Sequence, residues 1–144
     1  MNILFDTNVI LDVLLDRQPF ADDATRLLAR VERAVVGGWL CATTVTTLHY
    51  LIARSSDDAA ARQHVGSLLR LFEVAPVNRV VLEEAMASGF TDFEDGVLHA
   101  AARHVGADAI VTRNIKDFAV AELPVFAPDE LVRMLAKKRE DDRG

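Results

Sequence analysis

The sequence predicts an α/β fold, a single-domain three-layer α/β/α sandwich around a mostly parallel sheet of four or five strands. Short apolar runs alternate with amphipathic helical patterns along the whole chain, and such alternation is typical of parallel sheets. The chain has 144 residues, of which 51% are hydrophobic, enough to build one compact core. We find no internal repeat and no linker. We therefore predict one domain at residues 1–136, followed by a charged, disordered tail at 137–144.

The first part of the chain carries two predicted strands with two predicted helices between them. Uninterrupted apolar runs predict the strands at 3–5 and 39–42. Apolar residues at helical spacing predict helices at 9–14 and 24–35, the second ended by Gly37 and Gly38. Asp6 or Thr7 is the expected N-cap of the first helix.

The rest of the chain repeats this alternation. Helical periodicity predicts helices at 45–52 and 65–72, a helix that Asn78 caps, a helix headed by Asp92, and a last helix at 131–135. Strands are predicted at 72–75 and 109–112, and a short edge strand at 124–126.

A cluster of acids, Asp92, Glu94 and Asp95, stands directly in front of one helical pattern. One interpretation is helix capping, with Asp92 as N-cap and all three acids favoured by the positive end of the helix dipole. Crowded like charges repel, however, and a hard divalent cation such as Mg²⁺ or Mn²⁺ would relieve that repulsion. The cluster by itself leaves both interpretations, helix capping and metal binding, open.

Other polar residues follow the predicted strands at their carboxyl ends. Asp6 ends the first strand, whereas Asn114 and Asp117 come just after the fourth. Sites in open parallel sheets form in the crevice at this edge. If the two strands are neighbours, Asp6, Asp95 and Asp117 meet in one pocket, where carboxylate-held cations would promote attack of an activated water on a phosphodiester.

Composition excludes several other classes of protein. The net charge of −6 argues against nucleic-acid binding through a broad basic face. The single cysteine, Cys41, lies in an apolar run, and we find no GxSxG or P-loop motif. No apolar run is long enough to span a membrane, and the first residues lack the basic region of a signal peptide. A cytoplasmic location is expected.

Four fragments together resemble the PIN domain family, in particular the short form of VapC-like toxin ribonucleases. They are DTNVILD at 6–12, TTVT at 43–46, DGVLHAA at 95–101, and VTRN at 111–114 followed by Asp117 and Phe118. The resemblance implies an α/β/α fold, Mg²⁺- or Mn²⁺-dependent endoribonuclease activity and a homodimer. For a toxin it also implies an antitoxin protein as partner.

Carried over by position, the resemblance makes Asp6 and Asp95 the firmest metal ligands. Asn114 stands where many members carry an acid, and Asp117 could take that role. Thr7 and Asn8 match the motif that orients the first Asp, and Thr112 lies in a matched fragment beside Asn114 and is expected to help position the acids.

The chain departs from the family pattern on the third helix. His49 stands where the family has a second acid, a Glu, and no acid lies within that helix. His49 is expected to be either a core or partly buried histidine, or a ligand or a residue that supports the ligands. The sequence therefore resembles a subfamily that carries the DFED motif at 92–95 instead. Glu94 or Asp92 would then complete the metal site.

Two interpretations are open for most of the remaining polar residues. Arg113 and Lys116 are candidates for phosphate contacts or ordinary solvated charges. His99, one turn after Asp95, is expected to be an interior histidine, although it could hold that carboxylate or touch the metal. Asp12 is expected on an exposed helix face.

The leading hypothesis is a metal-dependent endoribonuclease, the toxin of a type II toxin–antitoxin pair, that hydrolyses RNA by metal-activated water. The alternative is a catalytically silent PIN-like module that binds RNA or protein. A haloacid-dehalogenase-type phosphatase ranks lower, because its second Asp would fall on Asn8.

Overall fold

The computed structural model describes residues 1–143, with side chains described through Arg139. Five strands form one sheet: β1 (Asn2–Phe5), β2 (Gly37–Cys41), β3 (Glu73–Ala75), β4 (Ala109–Val111) and β5 (Val125–Phe126). Their order across the sheet is β3-β2-β1-β4-β5, and all four pairings are parallel. The predicted parallel sheet is confirmed, with the short β5 at one edge.

Helices cover both faces of this sheet. In the described residues they are α1 (Thr7–Leu14), α2 (Phe20–Glu32), α3 (Ala42–Ser55), α4 (Asp58–Leu71), α5 (Arg79–Ala87), α6 (Phe93–His104) and α7 (Pro128–Arg143), with a 3-10 helix at Ile115–Phe118. Alternate residues of a strand point to opposite faces. Ile3 and Phe5 thus enter a core with α1 to α4 and α7, whereas Leu4 enters a second core with α5 and α6. The α/β/α sandwich is confirmed.

Asp6, Asn78 and Asp92 are the N-caps of α1, α5 and α6, at the positions that the sequence predicts. The Asp6 side chain accepts the Thr7 N–H at 2.7 Å at the start of α1. Asn78 accepts the Val81 N–H at 3.1 Å, and Asp92 accepts the Asp95 N–H, also at 3.1 Å. Each bond satisfies an amide that the helix itself leaves without a partner.

The glycine pair after α2 has a different role from the predicted one. α2 ends at Glu32, and Gly37 and Gly38 lie within β2. A Cβ atom on Gly38 would lie 2.7 Å from the ring of Phe72 and from Val31 Cγ1. The glycine is therefore needed for close packing over the strand, and the prediction that it ends the helix is wrong.

The last helix, α7, reaches into the segment 137–144, whose predicted disorder stays a prediction. The backbone of α7 stays helical through Arg143, within the segment where the sequence predicts a disordered tail. The side chains after Arg139, and all of Gly144, lie outside the described residues. Within the described part, no helix has the length and apolar character needed to cross a membrane.

A Gly38→Ala substitution is expected to destabilise the protein by about 1–3 kcal/mol, because the added methyl overpacks the contact with Phe72. Gly66→Ala is the control: Gly66 lies inside α4, and a methyl added there would meet nothing within 4 Å, so up to about 1 kcal/mol of stabilisation is expected. Urea unfolding measures both. Equal effects of the two substitutions would contradict the packing role of Gly38.

Candidate metal centre

The candidate site lies where β1 and β4 end side by side. Phe5 pairs with Val111 in register, and the Asp6 N–H donates to the Val111 carbonyl at 3.0 Å. The next residue after each strand, Asp6 and Thr112, therefore lies at the same edge of the sheet. This is the edge at which parallel sheets form their binding sites.

Asp6 is nearly enclosed and is held by three donors. It is 8% exposed. Its Oδ1 accepts the Thr7 N–H, while Oδ2 accepts the Thr112 hydroxyl at 2.8 Å and Asn8 Nδ2 at 3.3 Å. Burial raises the pKa of Asp6 above its usual value, and the nearby charges of Asp117 and Asp92 add to this, although the hydrogen bonds act in the opposite direction. The charged form is thus costly even with its donors in place.

Asp95, in the first turn of α6, is the most perturbed acid of the group. It is half-buried, and its pKa is raised to about 7. Burial is the largest cause, followed by the charges of Asp6, Asp92, Asp117 and Glu94. The structure thus brings together the five predicted ligands closely enough for their charges to interact. Asp92, Glu94 and Asp117 are exposed to solvent.

This donor set fits a hard divalent cation in chemistry, since it consists of carboxylate oxygens whose mutual repulsion a cation would relieve. Among the described residues, no group of three or more His, Cys, Asp or Glu side chains is close enough to hold a metal ion as the side chains stand. Closing a coordination shell therefore requires side-chain rotation. The exposed Asp117 has the freedom to rotate, whereas Asp6 is fixed by its donors and Asp92 is held through Oδ1 as the cap of α6.

An open cavity of about 390 Å³ borders the acids. Its lining includes Asp92, Asp117 and Lys116. Lys116 is exposed and stands in the 3-10 helix beside Asp117. This position next to the acids suits contact with a phosphate group, the role that the sequence predicts as one of two.

Arg113 and Asp12 are placed differently from the prediction. Asp12 is fully buried, so the expected exposed face is wrong. Arg113 donates to its two oxygens from Nε at 2.6 Å and Nη2 at 3.2 Å, and stacks over the Phe20 ring with 4.1 Å between Cζ and centroid. The guanidinium is thereby committed to the protein interior, which disfavours the predicted phosphate contact. Sequence spacing gives no signal for a pair separated by 101 residues.

The two histidines considered as ligands lie in other surroundings. His49 Nε2 is 3.6 Å from Asp58 Oδ1 on α4. His99 accepts the Glu122 N–H at 3.0 Å, and burial, with the charge of Arg103, lowers its pKa. His99 is thus an interior histidine with a backbone partner, the interpretation that the sequence favours.

The smaller polar residues of the predicted set connect the elements around Asp6. The Thr7 hydroxyl donates to that of Thr44 at 3.1 Å, which joins α1 to α3 through a buried threonine absent from the predicted set. The Asn114 N–H donates to the Thr112 hydroxyl at 3.0 Å, whereas the Asn114 residue is exposed. Thr44 lies in the TTVT fragment, and this fragment is the sequence signal that could have identified it.

We expect the metal-free protein to lose stability as the pH rises from about 4 to 7. In that range folded Asp95 keeps a proton, at a pKa of about 7, that the unfolded chain has released at its ordinary pKa. Above pH 7 the loss is complete. Asp95→Asn removes the contribution of Asp95 to this slope, while that of Asp6, whose pKa is also raised, remains. The substitution stabilises the metal-free protein at pH 8 by about 1 kcal/mol, after discounting for solvent screening.

Urea unfolding in EDTA between pH 4.5 and 8 measures this effect. Glu32→Gln, an exposed acid on α2, is the control and should keep the slope of the parent protein. An unchanged slope in Asp95→Asn would contradict the raised pKa.

Solved structures with the same fold include a toxin–antitoxin complex and a toxin. FitAcB from Neisseria gonorrhoeae is 24% identical, with a TM-score of 0.69, over 88% of this chain and 97% of that one. A toxin–antitoxin complex from Klebsiella pneumoniae is 22% identical, with a TM-score of 0.67 and coverage of 88% and 97%. VapC20 from Mycobacterium tuberculosis, a Sarcin-Ricin loop cleaving toxin, is 16% identical, with a TM-score of 0.64 and coverage of 85% and 98%. At these identities the likeness establishes the fold.

Family membership follows from the sequence comparison. No curated protein matches the chain. The family model of the PIN domain matches residues 2–116, which include the strands β1 and β4 and most of the acids described above. The protein belongs to the PIN domain family.

Proposed function

We propose that the protein is an Mg²⁺- or Mn²⁺-dependent endoribonuclease and the toxin of a type II toxin–antitoxin pair. The observation that carries this proposal is the placement of acids at the carboxyl edge of β1 and β4 in a chain of the PIN domain family, where Asp6 lies beside Thr112. In support, burial and four neighbouring carboxylates raise the pKa of Asp95 to about 7. Strongly perturbed groups of this kind cluster at functional sites. A half-buried acid whose neighbours Asp92 and Asp117 line an open cavity, in a chain of the PIN domain family, supports metal-assisted hydrolysis.

Asp6, Asp95 and Asp117 are the proposed ligands, with Asp92, which lines the cavity, and Glu94 as additional acids. Asp6 is the fixed member, because Thr112, Asn8 and the Thr7 amide hold both of its oxygens. A divalent cation, when bound there, supplies Lewis-acid activation of water and charge neutralisation for phosphodiester hydrolysis, which leaves a 5′-phosphate.

RNA recognition must work against a net charge of −6. Long-range attraction is therefore weak, and local contacts have to position the phosphate. Lys116 is the proposed contact, because its exposed side chain lines the same cavity as Asp92 and Asp117. Arg113 is not proposed for this role, since it is ion-paired with buried Asp12.

The proposed partners are an antitoxin protein and a second copy of the chain. The structure from Klebsiella pneumoniae is a complex of a toxin with its antitoxin. The matched chain of that complex shares the fold with this protein over almost its whole length. This similarity supports a toxin that is stored in complex with its antitoxin.

We expect Asp6→Asn and Asp95→Asn each to reduce RNA cleavage to the background measured in EDTA, because each removes a charged oxygen ligand while keeping the side-chain volume. Cleavage of a fluorogenic RNA with Mn²⁺ measures the rate, and circular dichroism verifies the fold. Glu32→Gln is the matched control and should cleave as the parent does. Parent-like cleavage by folded Asp95→Asn would refute the assignment.

A catalytically silent binding module is the second candidate, and the placement of His49 favours it. That side chain stands where the family has an acid, and it contacts Asp58 instead of joining the acids at the sheet edge. Calorimetric titration with Mn²⁺ separates the two candidates. The nuclease proposal requires a binding heat that Asp95→Asn abolishes, whereas a silent module gives no such heat.

A further inference from the structure

We propose that Asp12 is a positioning residue for the metal centre and acts on Asp6 through Arg113 and Asn8. The expected effect of Asp12 on metal binding rests on the proposed function. The control of the Asn8 side chain by Asp12 stands apart from that function.

Asp12 lies inside the protein and faces two guanidinium groups. It is 0% exposed, although its side chain is a carboxylate. Arg113 binds both of its oxygens, and Arg17 Nε lies 3.0 Å from Oδ1 in an ion-pair contact without hydrogen-bond alignment. A carboxylate buried so completely is stable only with such compensation. Loss of its charge would leave both arginines without their common partner.

Each of the two arginines contacts Asp12 and also donates a hydrogen bond to Asn8. The backbone N–H of Arg113 donates to Asn8 Oδ1 at 3.2 Å. Arg17 Nη2 donates to the Asn8 backbone carbonyl at 3.4 Å. The side chain of Arg113 is held between Asp12 and the Phe20 ring, which fixes the backbone of this residue just beyond β4. One buried carboxylate thus controls the surroundings of Asn8 on two sides.

The orientation of the Asn8 side-chain amide decides whether Asp6 faces a hydrogen-bond donor or an acceptor. Because Oδ1 is occupied by the Arg113 amide, Nδ2 must point the other way, where it donates to Asp6 Oδ2 and the Thr112 hydroxyl, both at 3.3 Å. The Thr112 oxygen also accepts the Asn114 N–H, so its single proton is left for Asp6. If Arg113 shifted, Asn8 could turn its oxygen toward Asp6 and replace an attraction with a repulsion.

The network therefore gives Asp12 a role in the orientation of Asp6, in addition to its contribution to the stability of the fold. Asn8 is one of the three donors that orient Asp6, and it is the donor whose own orientation depends on Asp12 through Arg113. Supporting residues of this kind around metal ligands typically change metal affinity by about 10–100-fold. Asp12→Asn keeps the volume of the side chain, but it places an amide donor against the guanidinium of Arg113.

The first test is NMR of the metal-free protein with a ¹⁵N label. We expect the side-chain amide resonances of Asn8 in the parent protein to be shifted and protected from solvent exchange, and Asp12→Asn to lose that protection. Arg113→Lys, which keeps the charge but not the two-pronged contact, should act in the same direction and serves if Asp12→Asn does not fold. Glu83→Gln, in the exposed ion pair with Arg79, is the control and should leave Asn8 unchanged.

The second test is the affinity for Mn²⁺ by calorimetry, with the fold verified by the urea midpoint. We expect about tenfold weaker binding in Asp12→Asn and Arg113→Lys, and parent-like binding in Glu83→Gln. Parent-like Asn8 resonances in both folded variants would overturn the proposal, and so would unchanged Mn²⁺ affinity. If the parent protein itself binds no Mn²⁺ while the Asn8 resonances respond to Asp12→Asn, the proposed function fails and the positioning of Asp6 by Asp12 is upheld.

Discussion

The pairing of β1 with β4 is the constraint on which the rest of the site depends. One backbone hydrogen bond, from the Asp6 N–H to the Val111 carbonyl, joins segments more than a hundred residues apart in the chain. Because the strands are parallel and in register, both end at the same level, and their following residues share one edge. A slip by one residue would exchange the two buried faces of β1, so that Leu4 would enter the core of Ile3 and Phe5, and it would remove Asp6 from Thr112. The apolar residues of β1 and β4 are fully buried, and this burial fixes the register.

The acids at this edge illustrate how burial and charge oppose hydrogen bonding. Asp6 accepts three hydrogen bonds, and its pKa is still raised, so desolvation outweighs its donors. Asp95 is less buried, but burial together with the negative charges of four neighbouring acids raises its pKa to about 7. Near neutral pH the metal-free protein therefore keeps a proton on Asp95 in part of the population. A cation that displaces this proton couples metal affinity to pH, as expected where ligands must be deprotonated to bind.

The sequence predicts the local features of this structure much better than its long-range contacts. The three side-chain caps are predictable because each one depends on residues within three positions. The small size of Gly38 is required by the ring of Phe72, and the burial of Asp12 is allowed by Arg113, so both roles depend on partners far along the chain. Periodicity likewise identifies strands but does not order them in a sheet. The meeting of the acids is therefore predictable only on the condition that β1 and β4 are neighbours, an order that the structure supplies.

Helix capping and metal binding, which compete as interpretations of the acidic cluster, are compatible in this fold. Asp92 uses Oδ1 to cap α6, and a carboxylate has a second oxygen. Asp95 sits in the first turn, where the helix dipole favours negative charge, yet its pKa is raised because burial and the other acids outweigh that benefit. A cap alone needs only Asp92. The acid that the helix does not need, Asp95, is the one that bears the electrostatic cost, and a bound cation is the arrangement that would remove this cost.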